Sequence, residues 1–433
     1  PSDDRLLKDG DIVNIDVTPP PVATGVIVSN EAGTQINTGG ATNDTTPVIS
    51  GSATPGSTVL VSDGTDVLGT ATVNDNGSWS FTPDPALGEG PHSISTTVVD
   101  PAGNSSTAST PIIVTIDTEA PAEAGSLVLS NNNSGTPVEI TNGTTNDATP
   151  VLSGTAEPGS TVTVTDNTDT VLGTATVDTL GNWTFTPANP LDPGSHSLTT
   201  TVTDPAGNGG PQSDPIVFTV NLTPPLVGTV VLNNDSTTPA TEITNGGATN
   251  DTTPVLSGSA AEGSIITVYD GNTPLGTVQV GASGLWSYTT TALSQGNHSL
   301  SATVTDPSGN VSDRSTAIGF IVDTVPPAAA TELQLANGQD TPIATGGFTN
   351  DTTPVLSGTA EPGSTVTVTD SESGILGTAT VGADGSWSFT PDAALAAGPH
   401  TLTATVTDPA GNGRPASSPI PLIIDVSPPD PAS

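Results

Sequence analysis

The chain has no cysteine and no methionine, and only 4 of its 433 residues are Lys or Arg. Without cysteine there are no disulfide staples, thiolate metal sites or thiol nucleophiles, so stability rests on packing and on any metal bound through oxygen. Against those few cations stand 44 acidic residues, a formal net charge of -40, and no Lys or Arg occurs between Lys8 and Arg314. Such a surface repels nucleic acid and anionic membranes and attracts metal cations, although most of its acids need only be a solvated face. Aromatic residues make up 3% of the chain. No apolar run is long enough to span a bilayer. The opening residues do not read as a cleavable signal peptide, and the sequence reads as an excerpt of a longer chain.

What is present is repetition. Asp204-Pro205-Ala206-Gly207-Asn208 recurs letter for letter at Asp100 to Asn104 and at Asp408 to Asn412, and with one change at Asp306 to Asn310. The spacing is roughly a hundred residues, and Trp79, Trp183, Trp286 and Trp387 keep the same period. Proline-rich junctions divide the chain into a non-repeat segment at 1–16, repeats at 17–117, 118–221, 222–323 and 324–425, and a tail at 426–433.

Within a repeat every stretch reads as strand or turn. In the fourth, Thr365-Val366-Thr367-Val368-Thr369 alternates, Gly377 to Val381 returns as its hairpin partner, and Trp387 and Phe389 fall on one face. His400, Leu402, Ala404 and Val406 share the inward parity of the next strand. About seven antiparallel strands per repeat predict an all-β chain of four tandem Ig-like sandwiches. An odd strand number puts entry and exit at opposite poles, so the repeats are expected end to end as a rod, each ~35 to 45 Å long.

Catalysis has no candidate residues. The four histidines, His92, His196, His298 and His400, occupy one repeat position, which marks a structural device near a pole rather than a general base. Their periodicity offers no Ser or Asp to complete a triad. The Trp-x-aromatic pairs, Trp79 with Phe81 and Trp286 with Tyr288 among them, read as core anchors rather than a sugar platform.

Metal binding does have candidates. Counting strands places the turns at Asp44, Asp147, Asp251 and Asp351 at the exit pole and the Asp-Pro-Ala-Gly-Asn loops at the entry pole. Asp117 with Glu119 is then expected beside Asp204 and Asn208, Asn221 beside Asp306 and Asn310, Asp323 beside Asp408 and Asn412, and Asp16 beside Asp100 and Asn104. Carboxylates gathered without basic partners suit a hard cation with oxygen ligands, and Ca²⁺ tolerates the irregular geometry of turns better than Mg²⁺. The competing reading has each Asp cap its own turn by accepting backbone N–H groups. At the junctions calcium is favoured; at the four exit-pole turns the two readings stand level.

Three motifs carry a resemblance: Thr-Asn-Asp-Thr-Thr-Pro-Val-Leu-Ser-Gly, Pro-Gly-Ser-Thr-Val-Thr-Val-Thr-Asp and Asp-Pro-Ala-Gly-Asn. They resemble the bacterial Ig-like repeats of giant type I-secreted RTX adhesins, over nearly everything after Asp16. The resemblance implies an extracellular, cell-surface extender whose neighbours are further repeats, stiffened by calcium and holding a terminal ligand-binding domain away from the cell. Biofilm formation or attachment to cells, surfaces or ice would be its setting. Two features depart from that pattern: Asn221 replaces the junction Asp, and the glycine-rich RTX nonapeptide is absent. The alternative is that the Ig-like domains themselves bind a glycan or protein, but no divergent, aromatic-rich insertion marks a binding repeat. Leu6 to Asp16 separately resembles a short segment of methionine aminopeptidases in which the last Asp is a metal ligand. The ligands that follow in that family are missing here, and the segment is read as a remnant or a coincidence and not as an enzyme.

Overall fold

The computed structural model describes residues 15–167 and 170–427. The aminopeptidase-like stretch therefore lies outside the described residues except for Ile15 and Asp16. Among the described residues every regular element is a strand.

Repeat 1 serves as the template. Its strands are β1 (Thr24–Ser29), β2 (Gln35–Ile36), β3 (Gly40–Thr42), β4 (Val48–Ser52), β5 (Thr58–Asp63), β6 (Asp66–Thr72), β7 (Ser78–Phe81), β8 (Gly90–Val99) and β9 (Ile112–Ile116). β1 and β4 to β9 are the expected seven, and β2 and β3 are short additions. One sheet runs β2-β1-β4-β7 and the other β3-β9-β8-β5-β6, with β3 parallel to β9 and the remaining pairs antiparallel. Repeats 2, 3 and 4 reproduce this pair of sheets, and repeat 2 adds a short strand, Gly209–Gln212, beside its longest one.

The alternation read in the sequence decides which residues go inside. Val59 and Val61 on β5, Ile94 and Val98 on β8, and Val114 and Ile116 on β9 are buried, facing Val28, Ile49 and Trp79 of the other sheet. Equivalent cores fill the other repeats. All four tryptophans are buried, as are Phe185 and Phe389, whereas Phe81 and Tyr288 are only partly covered. His400, Leu402, Ala404 and Val406 all point inward as their parity requires.

The tryptophans explain a glycine in the neighbouring strand. Gly154 pairs directly with Trp183, and a Cβ there would lie 2.8 Å from the Gly125 carbonyl and 3.0 Å from the indole. Gly51, Gly258 and Gly358 face their tryptophans in the same register.

The chain divides into two compact units, 1–222 and 223–433. The first holds repeats 1 and 2 and the second repeats 3 and 4.

Candidate functional site at the repeat junctions

Each Asp-Pro-Ala-Gly-Asn loop closes on itself before it touches anything else. In repeat 2 the Asp204 Oδ1 accepts the backbone N–H groups of Gly207 at 2.7 Å and Asn208 at 2.8 Å, while Oδ2 accepts the Asn208 side-chain amide at 2.8 Å. Gly207 has a φ of 100°, which a side chain rarely adopts, so the turn needs glycine there. The loops at Asp100, Asp306 and Asp408 share the Asp–Asn geometry. Hydrogen bonding to the Asn104 amide, against a desolvation that opposes it, holds the Asp100 carboxyl below its usual range.

The same asparagine then reaches into the preceding linker. Asn208 Nδ2 donates to the Asp117 carbonyl at 2.9 Å, Asn412 Nδ2 to the Asp323 carbonyl at 2.8 Å, and Asn104 Nδ2 to the Asp16 carbonyl at 3.0 Å. A second bond joins the repeats within each unit: Asn43 N–H donates to the Ala206 carbonyl at 3.1 Å, and Asn250 N–H to the Ala410 carbonyl at 2.9 Å. Ala206 and Ala410 are buried by this contact and their own loops, and the neighbouring glycines lie against the side chains of Asn43 and Asn250. Entry-pole loop and exit-pole turn thus meet, with Asp117 beside Asp204 and Asn208, and Asp323 beside Asp408 and Asn412. Asn221 donates its N–H to the Thr145 carbonyl at the end of repeat 2.

The exit-pole turns are Asp-capped in the way the competing reading described. Asp147 Oδ1 accepts Thr149 N–H at 2.8 Å and Oδ2 accepts Asn132 N–H at 2.7 Å, and Asp251 and Asp351 are bonded alike. In repeat 1 the Asp44 Oδ1 accepts Thr46 N–H, but Oδ2 is buried without a partner among the described residues. On the linkers, the Asp117 carboxylate caps Glu119 N–H and that of Asp323 caps Val325 N–H and accepts from Gln295. Among the described residues no group of three or more His, Asp or Glu side chains is gathered as a metal site.

Sequence reasoning missed the partners of the histidines. His92 Nδ1 lies 2.6 Å from Asp63 and Nε2 lies 2.7 Å from the Gly88 carbonyl. His196 pairs with Asp166 and the Asp192 carbonyl, His298 with Asp270 and the Ser294 carbonyl, and His400 with Asp370 and the Ala396 carbonyl. In repeat 2 the second Asp166 oxygen accepts Ser197 N–H at 3.0 Å. These four pairs are the ion pairs among the described residues. Burial alone would lower each histidine pKa, but the carbonyl and carboxylate acceptors outweigh it and raise all four above 6.5. A signal was available in the chain, because each Val-Thr-Val-Thr-Asp-type strand ends in an acid at a near-constant distance from the histidine.

A model of the bacterial Ig-like domain matches residues 19–118, 124–221, 223–324 and 327–426. No curated protein matches the chain. Among solved structures, the chain is similar to a tetra-tandem repeat from the extending region of a large adhesion protein, at 26% identity over 90% of this chain and 100% of that one, with a TM-score of 0.29. It is also similar to a structure bearing on host cell surface retention of a 1.5-MDa bacterial ice-binding adhesin, at 20% identity over 71% and 99% of the two chains, with a TM-score of 0.26. Fibronectin(III)-like modules of Clostridium thermocellum CbhA match at 15% identity over 45% and 94%, with a TM-score of 0.29. With two sheets around one core in each of four matched segments, the chain belongs to the bacterial Ig-like domain family, as four domains in tandem.

Proposed function

We propose that the chain is an extender segment of a bacterial adhesin, a structural rather than catalytic element that projects a distal ligand-binding domain from the cell surface for biofilm formation or attachment. The observation that carries this reading is the junction repeated in both units: a loop closed on itself presents one amide and one buried alanine to the exit of the preceding repeat. A connection made of backbone and turn chemistry, recurring in each of the two units, suits transmission of length and stiffness.

Calcium is the second part of the proposal. The Asp117 carbonyl and Asp204 Oδ2 converge on a single donor, the Asn208 amide. Turned end for end, that amide offers its oxygen instead, so carboxylate, carbonyl and amide oxygens would surround the same point. This is the ligand class of Ca²⁺, which takes about six to eight oxygens, with water completing the shell. The absence of Lys and Arg between Lys8 and Arg314 supports the reading, since the histidines in that stretch pair with Asp63, Asp166 and Asp270 and not with the junction acids. Asp408, Asn412 and the Asp323 carbonyl repeat the arrangement in the second unit, while Asp16 with Asp100 and Asn104 repeats it at the start of repeat 1. The Asp44, Asp147, Asp251 and Asp351 turns complete the candidate set within the units. Sites of extracellular type bind at ~10⁻⁴ to 10⁻³ M, so calcium at ten to a hundred times Kd adds ~1.4 to 2.7 kcal/mol per site.

Calorimetric titration of the whole chain with calcium is the test. Asp204→Asn keeps an oxygen for the two backbone donors but removes the charge, and it is expected to lower the stoichiometry by one site. An unchanged stoichiometry would remove calcium from the first junction.

A ligand-binding role has one observation in its favour. In repeat 3 the first strand begins only at Val231, and a groove opens between Pro224 to Val230 and Val311 to Ile318, with Leu226 exposed beside it. Repeats 1, 2 and 4 keep the earlier pairing through a bulge in that strand.

A further inference from the structure

The histidines touch two oxygens each, and neither oxygen can donate. A carboxylate faces Nδ1 and a backbone carbonyl faces Nε2, so both contacts are hydrogen bonds at once only when both ring nitrogens carry a proton, the imidazolium form. A neutral ring has one N–H and would turn a lone pair toward one of the two acceptors.

In repeats 1 and 3 the carbonyl so held belongs to the residue just before a side chain that grips the outgoing linker. Gly88 precedes Glu89, whose carboxylate accepts the Thr118 N–H at 3.1 Å and the Thr118 hydroxyl at 2.8 Å. Ser294 precedes Gln295, whose Oε1 accepts the Thr324 N–H at 2.9 Å and hydroxyl at 3.0 Å, while its Nε2 donates to Asp323. In repeats 2 and 4 the corresponding residues are Pro193 and Ala397, which have no acceptor side chain to offer.

We propose that His92 and His298 are proton-operated latches on the linkers leaving repeats 1 and 3. With the ring protonated, the loop before the long strand is tied to Asp63 or Asp270, and Glu89 or Gln295 is held against Thr118 or Thr324. Loss of the proton releases the loop carbonyl, and the linker loses the side chain that caps it.

Among the described residues the surroundings of each ring contain no competing charge that would reverse this. His92 faces Asp63 at the end of β5, the Gly88 carbonyl in its own loop and the uncharged Val114 across on β9, with Glu89 already bonded to Thr118. His298 faces Asp270, the Ser294 carbonyl and the ring of Phe320 at 5.9 Å. Because the folded-state pKa is raised above 6.5, the latch is fully closed below that value and opens as pH rises through the folded-state pKa. It loosens on the alkaline side.

The test is amide hydrogen exchange on the full chain in EDTA, from pH 5.5 to 9, corrected for intrinsic base catalysis. Protection at Thr118 and Thr324 is expected to fall about tenfold in a step, the scale of one lost charge-assisted bond. Leu222 and Val426, which follow repeats 2 and 4, should show no such step. Glu89→Ala should remove the Thr118 protection at every pH while the strands of repeat 1 stay protected. In His92→Gln the step should vanish at Thr118 and persist at Thr324; should that variant unfold repeat 1, Thr324 and its own variant His298→Gln carry the comparison. The proposal is overturned by a protection profile without a step, by the same step at Leu222 and Val426, or by ring nitrogens that are not both protonated at pH 6.

Discussion

Replacing Asp166 by Ala is expected to destabilise repeat 2 by about 3 to 5 kcal/mol near neutral pH, the cost of leaving a buried charge without its partner. Asp166 and His196 are both largely excluded from water, and the carboxylate binds two groups at once, the ring at 2.6 Å and Ser197 N–H at 3.0 Å. The variant therefore leaves the ring nitrogen and a backbone donor without their acceptor together. The pH dependence distinguishes this from a mere packing defect. Since the His196 pKa is raised above 6.5, the pair contributes stability below that value and loses it as pH rises through the folded-state pKa. The difference between wild type and Asp166→Ala should shrink at alkaline pH. Hydrogen exchange at the strands Thr161–Asp166 and Gly194–Thr203, measured in the intact chain, reads the effect for this repeat alone. A loss under about 1 kcal/mol would place the pair among weak surface contacts.

Trp183→Ala is expected to cost about 3 to 5 kcal/mol in the same repeat, through packing alone. The indole is 2% exposed, and its Nε1 has no hydrogen-bond partner among the described residues, so truncation sacrifices no hydrogen bond. It leaves a hole against Gly154, where the strand has no side chain to fall into the space. Urea unfolding followed at repeat 2 strand amides is the measurement. A small change would mean that the sheets can close over the gap, contrary to a core held apart by the indole.

The parts of this molecule that were legible in the sequence are those with a period. Valine and threonine alternate in Thr365 to Thr369 because one face must be dry and the other wet, and Val366 and Val368 are indeed buried. Counting strands placed the Asp-Pro-Ala-Gly-Asn loops at the pole facing the preceding repeat, and the bonds from Asn208 to Asp117 and from Asn43 to Ala206 join those poles. Which atoms meet was not legible. Asn208 uses the backbone carbonyl of Asp117 and not its carboxylate, and a sequence does not distinguish the two. The pairing of His196 with Asp166, 30 positions apart, left only the near-constant spacing of acid and histidine as a signal, because the two come to one place only when their strands are paired in the sheet. Phe81 and Tyr288 share the parity of buried aromatics yet remain half covered, since parity assigns a face and not a depth.

Calcium bound at the junctions as proposed would restrain one repeat relative to the next, and the cysteine-free chain allows that restraint to be measured without background labelling. Thr72 and Thr176 are exposed and end equivalent strands in repeats 1 and 2. Spin labels on Thr72→Cys and Thr176→Cys, introduced together in the full chain, report the distance across the first junction by pulsed dipolar spectroscopy. In several millimolar calcium, well above a Kd of ~10⁻⁴ to 10⁻³ M, the distribution should be narrow; in EDTA it should broaden, and with Asp204→Asn it should be broad in both. Identical distributions with and without calcium would contradict the claim and leave the Asn208 amide and the linker prolines as the source of stiffness.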